Sequence, residues 1–541
     1  MANNTAILPD TLSAARHPPE YRLHKYWARK PHNVAAAFLR ALVPPGGAVL
    51  DPFCGSGVIL AEARALGLQA TGIDLNPAAA LIADVTTNPP PPEAFAIALD
   101  ALLDWSCEVL APFYALPDGE TVRYCVHAGL VICPDCGRQV SAWEVRDQGR
   151  RRRCPACGAA LRFNLATITG TRIIEVVTTT GERRWDPPTL RHQQTTAYRF
   201  FEADLLPDAP LLPNRRILAW DGMRVADLFT PRNYHMASLL TRYIQDVQSG
   251  TPTPITRALH ALLSATLAGF SRLVAYRDGL RGGGPAWSVP GFWVAPVHVE
   301  HNPLPLLQAW GRRYRRGIRH LWARLDGGPP AAVITGAAQD VLPDLARQGA
   351  AFDLIVLDPP YGDSVPYLEF SALWNAFLGE TPDYEREIVV SDRTVRRSGW
   401  DSYTTRLAES VRQCVRVLKP TGAVLITFNN LNGRAWAALL AALHGAGLRC
   451  EAAHYVAPAV ISAKAQFAPD GSYHGDFWCI FRRGPLPDVP RSRWADVWQA
   501  AIPDTVSDPQ RRRRLALRAI LTANLPAEAV LALREVEKSS E

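Results

Sequence analysis

The sequence predicts an α/β fold: a doubly wound, Rossmann-like sheet interrupted by a large inserted region that carries a four-cysteine ribbon. Two apolar segments, far apart in the chain, each run into an acidic residue and a tight turn. They are Val49 to Gly57 (Val-Leu-Asp-Pro-Phe-Cys-Gly-Ser-Gly) and Leu354 to Gly362 (Leu-Ile-Val-Leu-Asp-Pro-Pro-Tyr-Gly). Continuous apolar strands of this kind suit a parallel sheet covered on both faces. Some 300 residues separate the two acids, far more than a doubly wound sheet needs between neighbouring elements, so the excess is inserted material. Within it a Cys-x2-Cys pair occurs twice.

The first segment opens with a short strand, Ala48 to Leu50, ending at Asp51. A loop with Phe53, Gly55, Ser56 and Gly57 follows, then a helix from about Val58 to Leu66. Glycines in such a loop let backbone approach a ligand. A dinucleotide site keeps this turn free of negative charge, because a pyrophosphate sits on the helix N-terminus. Asp51 would repel phosphate but pair with the ammonium group of S-adenosylmethionine. A second strand, Ala70 to Ile73, ends at Asp74, 23 residues after Asp51, where an α/β nucleotide site hydrogen-bonds ribose hydroxyls. The plain alternative is a strand–turn–helix with structural glycines.

The second segment suits chemistry on an exocyclic amino nitrogen, whose lone pair is delocalised into its ring and needs acceptors for both N–H bonds. Asp358 offers an acceptor-only carboxylate when ionised. Pro359 and Pro360 offer carbonyls without competing N–H donors, and Tyr361 a flat face for an unstacked base. The plain alternative is a proline-stiffened loop with a capping acid. Cys54 is assigned to packing, since amino methylation needs no covalent nucleophile.

The insert runs from about Asn88 to Pro330, with Pro89–Pro92 and Gly327-Gly328-Pro329-Pro330 as breakers at its ends. Four parts are therefore expected: 1–88 and 331–484 as the two halves of the sheet, 89–330 as the insert with a ribbon at about 125–165, and 485–541 as a helical extension. Cys133-x2-Cys136 and Cys154-x2-Cys157 stand 17 residues apart, the spacing of a closed four-thiolate structural zinc site. Disulfides are the alternative, disfavoured by six further scattered cysteines and by an N-terminus without an export signal. Downstream, Ser402–Leu418 reads as an amphipathic helix, Ala423–Phe428 as a buried strand and Arg434–Leu443 as a helix. Leu448–Val456 and Phe477–Arg482 read as a closing antiparallel pair. Asn429 and Asn430 are expected to cap structure rather than touch substrate.

Residues 51–57 and 358–361 resemble motifs I and IV of the amino-methyltransferases that modify adenine N6 or cytosine N4 in DNA. His24-Lys25-Tyr26-Trp27-Ala28-Arg29-Lys30-Pro31 is similar to the element preceding motif I in that family. The segments Asp227–Arg232, Phe292–Leu304 and Tyr361–Leu378 resemble adenine-specific DNA methylases containing a zinc ribbon. The resemblance implies a Rossmann-like methyltransferase sheet, S-adenosylmethionine as cofactor and structural zinc. It implies Lys30, Asp51, Phe53, Gly55, Ser56, Gly57 and Asp74 around the cofactor, with Asp340 near its adenine ring. Gly362 departs from the family, which usually places a second aromatic there, and Asp-Pro-Pro-Tyr-Gly also resembles guanine-N2 methyltransferases of tRNA. A non-catalytic zinc-ribbon nucleic-acid binder is the more distant alternative.

Composition places these parts in a multidomain, cytoplasmic protein: 541 residues and 48% hydrophobic content suffice for packed cores, and no apolar run reaches membrane-spanning length. A net charge of +7 is modest for a nucleic-acid binder, but its distribution points towards nucleic acid, which the resemblance implies is double-stranded DNA. Arginines cluster at Arg150–Arg153; at Arg312, Arg313, Arg315, Arg316, Arg319 and Arg324 with interleaved Tyr314, His320 and Trp322; and at Arg393, Arg396 and Arg397 near Trp400. Arginine among aromatics suits phosphate contact and base stacking. Arg511–Arg514 remain open between a solvated face and a phosphate anchor. The target site, any partner nuclease and the oligomeric state are not legible.

Overall fold

The computed structural model describes residues 8–149, 151–164, 167–185, 208–214, 217–248, 250–277, 291–393, 398–459 and 475–540. Arg150, Arg396 and Arg397 lie outside the described residues. In chain order the strands are β1 (Thr11–Ser13), β2 (Ala48–Asp51), β3 (Gln69–Asp74), β4 (Val122–Ile132), β5 (Gln139–Ser141), β6 (Gly170–Thr178) and β7 (Arg183–Trp185). They continue with β8 (Val297–His301), β9 (Ala332–Thr335), β10 (Phe352–Leu357), β11 (Leu418–Phe428), β12 (Leu448–Ala457) and β13 (Asp476–Arg483).

Eight of them form the main sheet, in the order β1-β12-β13-β11-β10-β2-β3-β9. Only β13 runs against its neighbours, β11 and β12; the other pairings are parallel. This is a mixed α/β sheet of the doubly wound type, with the expected antiparallel pair near one edge. From β2 the chain winds outward to β3 and β9, and from β10 it winds the other way to β11. The strand order therefore reverses between β2 and β10, where Val49 and Leu50 face Leu354 and Ile355. Ligands in such sheets bind beyond the carboxyl ends of the strands at this reversal. Asp51 ends β2 and Asp358 follows β10 directly, so both acids open onto it.

The helices lock that geometry. The Val58–Ala65 helix crosses from β2 to β3 and presses its first turn against the Pro77–Thr87 helix. Gly57 sits at φ +76°, and a Cβ there would lie 2.8 Å from Ala83 Cα. This glycine serves backbone conformation and helix contact. Asn76 caps the Pro77–Thr87 helix by accepting from Ala78 N–H, with Pro77 in its first turn.

The insert is less separate than its breakers suggest. Its buried residues Leu99, Leu262, Leu307 and Ile318 share one core with Leu23, Ala78 and Val85 of the first half, and with Leu373 and Trp374 after the second acidic turn. Its second sheet runs β5-β4-β6-β7, with β8 on β4. There the segments around Thr230 and Glu300 meet. Glu300, fully buried, accepts from Thr230, Arg232 and His127. Burial works against its charge, but Arg232 and then His127 hold its carboxyl well below the usual range. No described helix is long and apolar enough to cross a membrane.

Candidate active site

A cleft lies over the strand ends at the reversal point. Its walls include Tyr26, Phe53, Gly55, Ser56, Gln339 and Tyr367, and its floor is acidic, with Asp51, Asp74 and Asp358 all lining it. Asp51 accepts from Phe53 N–H at 3.2 Å. Asp74 accepts from Gly55 N–H at 2.8 Å through one oxygen and from Asn76 N–H at 2.9 Å through the other. Burial, with the nearby Asp358 charge, pushes the Asp51 carboxyl well above its ordinary pKa. Burial raises Asp74 to about 6, against the two backbone N–H donors. Carboxylates crowded in this way favour a cationic occupant, which would let them ionise. This donor set fits the ammonium and sulfonium charges and the ribose hydroxyls of S-adenosylmethionine.

Asp358 is held by three donors on one oxygen. Thr427 Oγ1 lies 2.7 Å from Oδ1, the Tyr361 hydroxyl 2.9 Å and Lys30 Nζ 3.0 Å. Burial raises the Asp358 pKa, while Lys30 and Thr427 oppose the rise. Lys30 is 6% exposed, donates to the Tyr361 hydroxyl and lies 3.2 Å from Asp476. Burial works against its charge, but Asp358 and then Asp476 overcome that and raise its pKa.

Several sequence expectations change here. Lys30 lines the cleft but is committed to Asp358, Asp476 and Tyr361 rather than to the cofactor side. Tyr361 packs its ring on Phe428, centroids 4.7 Å apart, and is not a wall of the cleft; Tyr367 is, stacked on Tyr26 at 6.1 Å. The Pro360 carbonyl already accepts from the Tyr403 hydroxyl and Gly362 N–H, each at 2.9 Å, although Pro360 itself lines the cleft. Asp340 pairs with Arg386 at 3.4 Å, half exposed, while its neighbour Gln339 lines the cleft. Asp51, Phe53, Gly55, Ser56 and Asp74 do come together around it. Cys54 is buried beside Leu60 and Gly72, with its thiol pushed up by burial and then by Asp74. It packs there while also lining the cleft.

Thr427, Asp476, Tyr26 and Tyr367 join the site beyond the residues expected from sequence. Thr427 stands beside Asp358 because Leu357 pairs with Ile426 in parallel register. Asn430 donates to the Tyr361 carbonyl at 2.7 Å, a structural role as expected.

The arginine clusters resolve unevenly. Arg393 is buried between Glu369 at 3.3 Å and Glu387 at 3.5 Å, so it belongs to the core. Arg315 pairs with Asp100, and Arg324 with Glu62. Tyr314 is fully buried and cannot stack on a base. Arg312, Arg316 and Arg319 remain exposed at i, i+4 and i+7 on the Pro303–Leu325 helix. Arg512 donates to Val506 and Arg514 lies over Tyr455, so part of the late cluster is internal.

In the insert, the four sulfurs of Cys133, Cys136, Cys154 and Cys157 lie within 4.8 Å of one another. Cys133 and Cys157 are 3.5 Å apart and Cys136 and Cys154 3.7 Å. Disulfides would need about 2.05 Å, whereas a zinc tetrahedron with bonds of about 2.3 Å has edges near these values. Two matching turns, with Gly137 N–H on the Cys133 carbonyl and Gly158 N–H on the Cys154 carbonyl, present the thiols.

Sheet topology and acid-ended cleft together fit an α/β methyltransferase. Residues 7–84 match the family model described as DNA methylase, of the N6/N4 kind. That match supports an amino-methyltransferase, and spans the Lys30 element, the Asp51 turn and Asp74. No curated protein matches the chain.

Proposed function

We propose that the protein is an S-adenosylmethionine-dependent DNA methyltransferase acting on an exocyclic amino group, adenine N6 foremost and cytosine N4 as the second choice. The observation that carries this reading is the adjacency of Asp51 and Asp358 at the ends of neighbouring strands at the sheet's reversal point. Bound there, the cofactor supplies an electrophilic methyl group. Asp51 would hold its ammonium, Asp74 its ribose hydroxyls, and Phe53, Gly55 and Ser56 would line it. Asp358 Oδ2 and the Pro359 carbonyl would accept the two amino N–H bonds, so that the nitrogen's lone pair turns from the ring towards the methyl. Tyr367 would supply the flat wall for the flipped base. Cys133, Cys136, Cys154 and Cys157 would hold a structural zinc, and Arg312, Arg316 and Arg319 would meet the DNA backbone.

The glycine after the turn, the main link to guanine-N2 enzymes, has a packing explanation. Gly362 sits at φ +61°, and a Cβ would lie 2.9 Å from Trp400. The test is to incubate the protein with methyl-labelled cofactor and, separately, unmethylated DNA and tRNA, then identify the modified nucleoside by mass. N6-methyladenine or N4-methylcytosine supports the reading; N2-methylguanine from tRNA refutes it.

A further inference from the structure

We propose that Lys30, anchored by Asp476, is a positioning residue of the methyl-transfer centre: its ammonium helps saturate Asp358 Oδ1, so that Oδ2 alone is presented to the target amino group. This role rests on the amino-methyltransferase reading of the cleft.

The hydrogen-bond inventory carries it. An ammonium has three N–H donors, and Lys30 Nζ has three oxygens around it: Asp358 Oδ1 at 3.0 Å, Asp476 Oδ2 at 3.2 Å and the Tyr361 hydroxyl. None is left over for a cofactor carboxylate. Asp358 Oδ1 in turn faces three donors, from Lys30, Tyr361 and Thr427, more than its two lone pairs can each take singly. The Tyr361 hydroxyl connects the two groups, accepting from Lys30 and donating to Asp358.

The partners arrive from unrelated parts of the chain. Lys30 precedes the His32–Leu42 helix, Asp358 follows β10, Thr427 lies near the end of β11 and Asp476 opens β13. A lysine this buried is costly unless paired, and anchoring a helix needs no charge. Placing it on a carboxylate that lines the cleft makes sense if the carboxylate must stay ionised and fixed. Among the described residues, acidic groups crowd Asp358: Asp51, Asp476, Tyr361 and Tyr367, with Asp74 across the floor; Arg29 and Arg386 also line the cleft, but Lys30 is the cation in contact with the carboxylate. Protonated, Asp358 would become a donor and oppose the amino N–H it should accept.

Removing the cation and removing its anchor should therefore act in opposite directions. Lys30→Met takes a positive charge from Asp358, so the acid limb of the kcat–pH profile moves up. Asp476→Asn takes a negative charge away, so that limb moves down. At pH 7 kcat of Lys30→Met should fall by about 100-fold, in the range of a lost general catalytic contribution, with cofactor Kd changed by less than about threefold. Lys30→Arg should recover part of the loss, since it keeps the charge.

The experiment is kcat against pH for the wild type and the three variants, with cofactor Kd by calorimetry and thermal melting between pH 5 and 8. Melting reports the ion pair without turnover. In Lys30→Met, Asp358 loses the cation that opposes its rise, and its pKa goes up further. The stability deficit against wild type should then widen as pH rises through that value. Opposite limb shifts with a widening deficit support the role. Unshifted limbs in an active enzyme, or cofactor affinity lost in step with kcat, overturn it. A wild type that transfers no methyl overturns the methyltransferase reading instead, and a pH-independent deficit overturns the ion pair itself.

Discussion

Cofactor affinity should tighten with rising pH, and Asp74 sets the window. Its carboxyl is raised from 3.8 to about 6 by burial. In the empty protein its stabilising contribution is therefore complete below 3.8 and is lost as pH rises through about 6. A ligand that donates ribose hydroxyls to the ionised carboxylate reverses that preference and expels the proton. With a pKa of about 6, Asp74 is about one-tenth ionised at pH 5 and about nine-tenths at pH 7, so Kd should fall about tenfold between them. Asp51, whose pKa is also raised, acts with the same sign. Asp74→Ala should bind weakly and lose its share of the pH dependence. Calorimetry with S-adenosylmethionine in buffers of different ionisation enthalpy measures both Kd and protons released. A Kd flat from pH 5 to 7, or one that tightens towards acid, would refute the assignment of Asp74.

Gly57→Ala must adopt φ +76° and push a methyl to 2.8 Å from Ala83 Cα; left-handed strain and overpacking together should cost about 2–5 kcal/mol, read as a lower urea midpoint. Arg393→Met strands Glu369 and Glu387 in the core and should cost about 3–5 kcal/mol. The loss should be greater at pH 8 than at pH 5, where the Glu387 carboxyl, already pushed up by burial and then by Glu369, can protonate; equal loss at both would contradict the pairing. Metal analysis should find one zinc ion per chain in wild type and none retained through dialysis in Cys154→Ser, and chelation should lower the melting temperature and weaken DNA binding before cofactor binding. Undiminished zinc in the variant would show that the four thiols are not its ligands.

Most of what was legible in the sequence is local. An apolar strand ending in Asp, followed by Gly-Ser-Gly or Pro-Pro-Tyr, announces itself within ten residues, and the paired Cys-x2-Cys knuckles do the same. What escaped depends on which strand ends become neighbours. Thr427 reaches Asp358, and Asp476 reaches Lys30, only because β11 lies beside β10 and β13 beside β11. Tyr361 turns away because Phe428, nearly 70 residues later, offers its ring a seat. Charge clusters misled for the same reason. Arg393, Arg315 and Arg324 look free in a linear count, yet their carboxylate partners lie up to 262 residues away. Asp340 likewise faces Arg386 on the adjoining segment rather than the cleft.

The central claim is a division of labour: β2 holds the cofactor and the turn after β10 holds the amino group. The most direct measurement pairs equilibrium S-adenosylmethionine binding with single-turnover methyl transfer to DNA in Asp358→Ala. Binding within a few-fold of wild type with transfer abolished is the predicted result. Loss of both together, or transfer that survives without the carboxylate, would contradict it.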